Sequence, residues 1–167
     1  MSREIRWPNG LEEQMQPSTK QREKVEIVSN SIDAGKSEAP AIEPKPMSCL
    51  ITDDSSLVRK IAGRVFREIG FEVDEAENGQ VALEKCQIHM PDVVLLDWNM
   101  PVMDGLEFLK ALRRTEGGRD PAVIFCTTET DVDHVQRALA SGANEYLMKP
   151  FDKETLLGKL DMVVTRR

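Results

Sequence analysis

Four short apolar runs, each closing on a polar or charged residue, constrain this chain more than any other feature. They are Cys49-Leu50-Ile51-Thr52 before Asp53-Asp54, Val93-Val94-Leu95-Leu96 before Asp97, Ala122-Val123-Ile124-Phe125-Cys126 before Thr127, and Tyr146-Leu147-Met148 before Lys149. A continuous apolar run of strand length suits a strand covered on both faces, as in a parallel sheet. In an open parallel sheet, ligands gather outside the carboxyl ends of the strands. The runs therefore predict one small site holding three carboxylates, a hydroxyl and an ammonium.

Between the strands the pattern turns helical. A first helix is expected from about Ser56 to Ile69, with Leu57, Val58, Ile61, Val65 and Ile69 apolar and Gly70 as its stop. Phe71 to Ala76 reads as the second strand. Asn78 can cap a second helix carrying Val81, Leu83, Cys86 and Ile88. A third helix follows Gly105, with Leu106, Leu109 and Leu112 on one side. A fourth spans Asp131 to Ser141 and closes at Gly142. Asp152 caps a fifth that contains Leu156, Leu157, Leu160 and Val163. Strands alternating with helices, joined by right-handed crossovers, predict an α/β fold with helices on both faces of the sheet. The flavodoxin-like doubly wound order 2-1-3-4-5 places its switch point between the strands that end in Asp53-Asp54 and in Asp97.

Residues 1–46 differ from the rest. They hold Pro8, Pro17, Pro40, Pro44 and Pro46, five of the nine prolines. The stretch from Ala39 to Pro46 has the composition of an extended linker. A weak helix from about Thr19 to Asp33, capped by Ser18, would carry Val25, Val28 and Ile32 on one face. Alone in water so short a helix is marginal, so a disordered or weakly helical extension is expected. Two further readings are a partner-binding peptide and a true start at Met47; intact mass of the native protein would settle the latter. Residues 47–167 form the folded unit.

Composition narrows the function. The net charge of -7 argues against nucleic acid or an anionic membrane as the main partner. No apolar run approaches the roughly 20 residues of a membrane span, and no secretory signal is visible. A cytoplasmic protein is expected. Cys49, Cys86 and Cys126 have no metal-ligand or redox spacing and read as buried small hydrophobes. His89 and His134, the two histidines, also lack metal spacing; His134 is expected to be exposed on the fourth helix.

Three carboxylates at one strand edge repel one another. A shared proton or a divalent cation relieves that repulsion. Mg2+ takes oxygen ligands in octahedral geometry and keeps several waters, so a few carboxylates, a carbonyl and a phosphate oxygen suit it. Lys149 adds a compact positive charge, and Thr127 a hydroxyl able to donate to a phosphate oxygen. A carboxylate can accept a phosphoryl group as a mixed anhydride. Asp97, flanked by the acid pair and the lysine, is the natural acceptor. Each residue alone has a plainer reading, as a helix cap, a turn hydroxyl or a solvated lysine. All four at strand ends in this order are far more specific. Trp98 is expected beside the site, partly exposed.

Asp53-Asp54-Ser55-Ser56, Asp97-Trp98-Asn99-Met100-Pro101, Met103-Asp104-Gly105, Thr127-Thr128-Glu129 and Lys149-Pro150-Phe151 together resemble the receiver domain of bacterial two-component response regulators. The segment from Asp97 to Glu107 is especially similar to the chemotaxis (CheY-like) members. The resemblance spans residues 47–167 and none of the extension. It implies that Asp97 accepts phosphoryl from a histidine kinase. It implies that Asp54 and Asp97 ligate Mg2+ directly, with Asp53 acting through water and Asn99 through its backbone carbonyl. It implies a cis bond before Pro150, a phosphoryl contact from Lys149, and a switch in which Thr127 and Tyr146 move and reshape the fourth helix, fifth strand and fifth helix. Asn99 and Glu129 would flank the attacking water and shorten the phosphoryl lifetime. Val135, Tyr146 and Lys159 match the partner-binding face of the chemotaxis members.

An Asp-nucleophile phosphatase of the haloacid dehalogenase type is the enzymatic rival. Such enzymes carry D-x-D at the nucleophile; here the second position is Asn99, so the general acid is missing. No nucleotide-binding glycine loop follows a strand. The expectation is a signalling switch rather than an enzyme, with a flagellar switch protein as a candidate target. Asp131 and Val132 depart from the lysines of enteric chemotaxis members, which keeps a phosphorelay intermediate or phosphate sink open. No output domain follows the fifth helix in this sequence, so the protein is expected to act by binding partners, as a monomer or a phosphorylation-dependent dimer.

Overall fold

The computed structural model describes residues 45–128 and 132–165. The proposed helix of the extension, its linker up to Pro44, Glu129, Asp131 and the final Arg166-Arg167 lie outside the described residues. The element order is β1 (Ser48–Thr52), α1 (Ser56–Glu68), β2 (Glu72–Ala76), α2 (Gly79–Ile88), β3 (Val93–Asp97), α3 (Gly105–Leu112), β4 (Ala122–Thr127), α4 (Val132–Ala140), β5 (Glu145–Met148) and α5 (Lys153–Val164). The strands form one sheet in the order β2-β1-β3-β4-β5, all pairs parallel. This is the flavodoxin-like doubly wound architecture, with the expected switch point between β1 and β3.

The strand period of two divides the core between the sheet faces. Cys49, Ile51, Val93, Leu95, Ile124 and Cys126 pack with Ala62 and Phe66 of α1 and with Leu156, Leu160 and Val163 of α5. Leu50, Val94, Leu96, Val123 and Phe125 pack with Ala82 and Cys86 of α2, with Leu106, Phe108 and Leu109 of α3, and with Ala138 of α4. Burying one such aliphatic or aromatic side chain stabilises by about 1.5–3 kcal/mol. Side-chain caps start four helices: Ser55 accepts from Val58 N–H, Asn78 from Val81, Asp104 from Glu107 and Asp152 from Thr155. Asp104 and Glu107 complete a capping box. Gly70 and Gly142 end their helices at φ 89° and 102°.

Two expected helix faces shift. Leu57 and Ile61 are 65% and 51% exposed, while Ala62 and Phe66 meet the sheet and Val58, Val65 and Ile69 sit at the margin. The apolar arc of α1 is wider than its contact with the sheet, so the two residues at its far edge face outward. On α2 the buried pair is Ala82 and Cys86, four apart; Ile88, two positions beyond, falls on the other side and is exposed.

Candidate phosphoacceptor site

The strand ends line up because the register aligns them. Thr52 pairs with Leu96, and Asp97 with Cys126, so Asp53, Asp97 and Thr127 reach the same edge of the sheet. Thr127 in turn pairs with Met148, and its carbonyl accepts from Lys149 N–H at 2.8 Å. Asp53, Asp97 and Thr127 are buried, whereas Asp54 is exposed.

Lys149 joins the acids. Its Nζ donates to Asp53 Oδ2 and to Asp97 Oδ1, each at 2.6 Å. Asp53 Oδ1 accepts Ser55 N–H at 2.9 Å, which commits both oxygens of that carboxylate. Burial pushes the Asp97 carboxyl above its usual range, aided by the charge of Asp53 and opposed by Lys149. Burial works against the Lys149 ammonium, but its bonds to Asp53 and Asp97 outweigh that and hold its pKa above the ordinary value.

One carboxylate oxygen from each of Asp53, Asp54 and Asp97 can be chosen so that all lie within 4.8 Å of one another. Oxygens at about 2.1 Å around an octahedral ion are separated by about 3.0 to 4.2 Å, so the set is compact enough for Mg2+. Three carboxylates against one ammonium leave two negative charges, which a divalent cation would cancel. The donor set therefore fits the ion that the sequence suggests.

The loop after β3 closes the edge. Gly105 N–H donates to Trp98 O at 3.0 Å, Met103 N–H to Pro101 O at 2.8 Å, and Gly79 N–H to Met103 O at 3.1 Å. Asn99, two residues past Asp97, is exposed in this loop. The Lys149–Pro150 peptide bond is cis.

Trp98 is not partly exposed as expected. It is 8% exposed, with its ring 4.9 Å from Phe125 and 4.8 Å, edge to face, from His134. His134 is accordingly half-buried against an aromatic ring rather than exposed. The large apolar indole gains by packing inward, and the histidine of α4 lies over it.

Asp53, Asp54, Asp97 and Lys149 come together, with Thr127 at the next strand end. Tyr146, Val135 and Lys159 are each half-buried, on β5, α4 and α5 respectively. Lys159 Nζ lies 4.8 Å from the Tyr146 ring centroid and 3.2 Å from Glu145 Oε1. Sequence reasoning misses Arg59, whose guanidinium backs the Asp53-Asp54 turn, and the fit of Gly105 under Asp97. A basic residue one helical turn after an acid pair is the available signal for Arg59. The three cysteines are buried, and burial pushes the Cys86 and Cys126 thiols up to about 11 and about 12.

The response regulator receiver domain model matches residues 49–161. The chain is 38% identical over 127 residues to chemotaxis protein CheY-3 of Vibrio cholerae, covering 75% of this chain and 98% of that one. Its fold is similar to the high-resolution structure of Vibrio cholerae chemotaxis protein CheY4, with a TM-score of 0.68 and 39% identity over 71% of this chain and 98% of that one. It is also similar to a chain in the CheX–CheY–BeF3–Mg2+ complex of Borrelia burgdorferi, with a TM-score of 0.68 and 30% identity over 71% of this chain and 90% of that one. With a matching family model across most of its length and such relatives, the chain belongs to the response regulator receiver domain family.

Proposed function

We propose that this chain is a phosphoacceptor switch in which Asp97 takes a phosphoryl group from the phosphohistidine of a histidine kinase. The observation that carries the reading is the double 2.6 Å contact of Lys149 with Asp53 and Asp97 beside the exposed Asp54. In the transfer the P–N bond of the phosphohistidine breaks, a P–O bond to an Asp97 carboxylate oxygen forms, and the imidazole leaves to regain a proton from solvent. Mg2+, when bound, would neutralise charge on the transferred phosphoryl oxygens. Asp54 and Asp97 would ligate it directly, Asp53 through water and Asn99 through its carbonyl. Lys149 would turn from the carboxylate to a phosphoryl oxygen. The Thr127 hydroxyl would donate to another.

The acquired dianion biases a two-state element. Here that element is Thr127 with Tyr146, and the surface that changes is α4, β5 and α5, including Val135 and Lys159. A kinase binds before transfer, and a downstream protein reads the changed face. The chemotaxis relatives and the CheX-bound neighbour support a chemotaxis-type signalling role, with a flagellar switch protein as one target class. Residues 47–167 act as the receiver and residues 1–46 as a separate extension, in the cytoplasm. No described helix is long and apolar enough to cross a membrane. Asn99 and Glu129 would admit water and keep the phosphoryl short-lived; a half-life of many hours in Mg2+ buffer contradicts that part.

Trp98 reports the test, because it adjoins Asp97 and is packed between Phe125 and His134. In the full chain carrying Trp7→Phe, Mg2+ and then acetyl phosphate should each change its fluorescence. Asp97→Asn should remove the second response. An acetyl phosphate response that survives Asp97→Asn overturns the assignment, as does sustained multiple turnover of small phosphomonoesters. Phosphorylation-dependent co-purification with flagellar switch proteins separates chemotaxis from a phosphorelay intermediate or phosphate sink.

A further inference from the structure

The turn carrying Asp53 and Asp54 is held from three directions. Asp53 N–H donates to Ala76 O at the end of β2 at 3.1 Å. Ser55 N–H closes onto Asp53 Oδ1 at 2.9 Å. Arg59 reaches back from α1, and its Nη1 donates to Asp53 O at 2.8 Å and to Asp54 O at 3.2 Å. Its Nε lies 3.4 Å from Glu75 Oε2 on β2, and Glu75 Oε1 takes Arg67 Nη2 at 3.2 Å. The Arg59 side chain is only 16% exposed. Gly63, four residues on, leaves the room: a Cβ there would stand 2.9 Å from Arg67 Nη1 and 3.5 Å from Glu75 Oε1.

The two acids are anchored differently. The Asp53 carboxylate is fixed by Lys149 and Ser55. The Asp54 carboxylate has no hydrogen bond among the described residues, so its place depends on its backbone. Successive carbonyls of an extended segment diverge, and drawing both onto one guanidinium fixes the peptide plane between the two residues. That plane sets where the Asp54 side chain leaves the turn.

We propose that Arg59 is a positioning residue that holds Asp54 in reach of the cation shared with Asp53 and Asp97, an inference that rests on the metal-site reading above. A second physical effect runs the other way. Arg59 is a cation behind a cation site, and mere repulsion would make its removal tighten Mg2+ binding. The sign of the change therefore separates positioning from repulsion.

The experiment measures Mg2+ affinity by Trp98 fluorescence in the full chain carrying Trp7→Phe, with Arg59→Met, Arg59→Lys and Glu75→Gln. Arg59→Met should weaken Mg2+ binding about tenfold, the scale of a lost charge-assisted hydrogen bond. Arg59→Lys, which keeps the charge and loses the fork, should fall between it and the parent. At saturating Mg2+ the rate of Asp97 phosphorylation by acetyl phosphate should return to within about twofold of the parent, since the chemistry itself is untouched. A merely structural lesion would lower that rate at every Mg2+ concentration. Unchanged or tighter Mg2+ binding in Arg59→Met overturns the proposal, and so does a rate deficit that saturation does not repair. Should Arg59→Met fail to fold, unchanged affinity in both Arg59→Lys and Glu75→Gln overturns it. A parent protein that does not respond to Mg2+ overturns the metal-site reading and this inference together. A responsive parent with indifferent variants overturns this inference alone.

Discussion

Gly105 lies so close beneath Asp97 that a Cβ added to it would stand 2.1 Å from the Asp97 carbonyl oxygen. Its N–H also donates to Trp98 O at 3.0 Å, so the start of α3 is pressed against the residue that ends β3. The same Cβ would stand 3.0 Å from the Phe125 ring. Neither neighbour is the free end of a flexible side chain. Gly105→Ala must therefore push α3 or the β3 terminus aside. We expect a loss of about 2 kcal/mol or more, typical of overpacking, and slower phosphorylation of Asp97. Chemical denaturation and an acetyl phosphate time course check both. An unchanged midpoint would mean that the loop absorbs a methyl group without moving Asp97.

Asp97 itself should be a source of instability in the metal-free protein. Its carboxyl is buried and its pKa lies above that of an unfolded chain, so the folded state holds the proton more tightly. The sign follows. Its contribution favours the fold at acid pH and is lost as pH rises from the unfolded pKa through the folded one. The penalty is complete once the pH exceeds the folded-state pKa. Asp97→Asn removes it while leaving Lys149 its bond to Asp53. In chelator, above the folded-state pKa, the variant should melt higher than the parent. The gain should shrink toward about pH 3. Melting curves across pH check this, and a variant less stable above the folded-state pKa would show that the bond to Lys149 outweighs the burial cost.

The fold is legible in the sequence because three of its strands, β1, β3 and β4, are buried apolar runs whose polar ends fall in register. The fourth run, in β5, departs from the expected double cover, since an edge strand has a neighbour on one side only and just Leu147 of it is buried. Asn78 and Asp152 cap helices by local rules, and these caps and the stops at Gly70 and Gly142 lie where the residue pattern puts them. The convergence of Asp53, Asp54, Asp97 and Lys149 follows from the topology alone. Side-chain facing is less legible. Leu57 and Ile61 carry the same periodic signal as Val65, but the width of the sheet contact decides which of them is covered. Trp98 and His134 are far apart along the chain, and only the packing of α4, through Ala138, on that face of the sheet makes them neighbours. Arg59 is hard to see for a related reason: its hydrogen bonds to the Asp53-Asp54 turn go to backbone carbonyls, which every residue has.

Val102 adopts φ 70°, the one non-glycine residue at positive φ among the described residues, and is 81% exposed. A β-branched side chain is poorly suited to that conformation. It sits in the loop between Asp97 and Gly105, where Met103 N–H turns back onto Pro101 O at 2.8 Å. Little packing is lost on truncation, so Val102→Gly should relieve the strain at the expense of some unfolded-chain entropy. We expect a net gain of about 0.5–1 kcal/mol with the Mg2+ response of Trp98 retained. A loss of stability in denaturant titration would mean that the β-branched side chain stiffens the unfolded loop by more than the strain costs.

Lys149 separates stability from metal affinity. Its ammonium is the one described cation bonded to both buried carboxylates, Asp53 and Asp97. Lys149→Met leaves those carboxylates facing each other with no counter-charge, and breaking a buried pair in this way costs about 3–5 kcal/mol. The metal-free variant should melt well below the parent. Mg2+ should then bind more tightly, because the same uncompensated charge that destabilises the fold attracts the cation. The difference in melting temperature should narrow as Mg2+ is added. Phosphorylation should still fail, since no ammonium remains to take the phosphoryl oxygen. Melting with and without Mg2+, together with the acetyl phosphate response of Trp98, reads all three effects. Weaker Mg2+ binding in Lys149→Met would instead assign the lysine a part in holding the acids in place, beyond the charge it supplies.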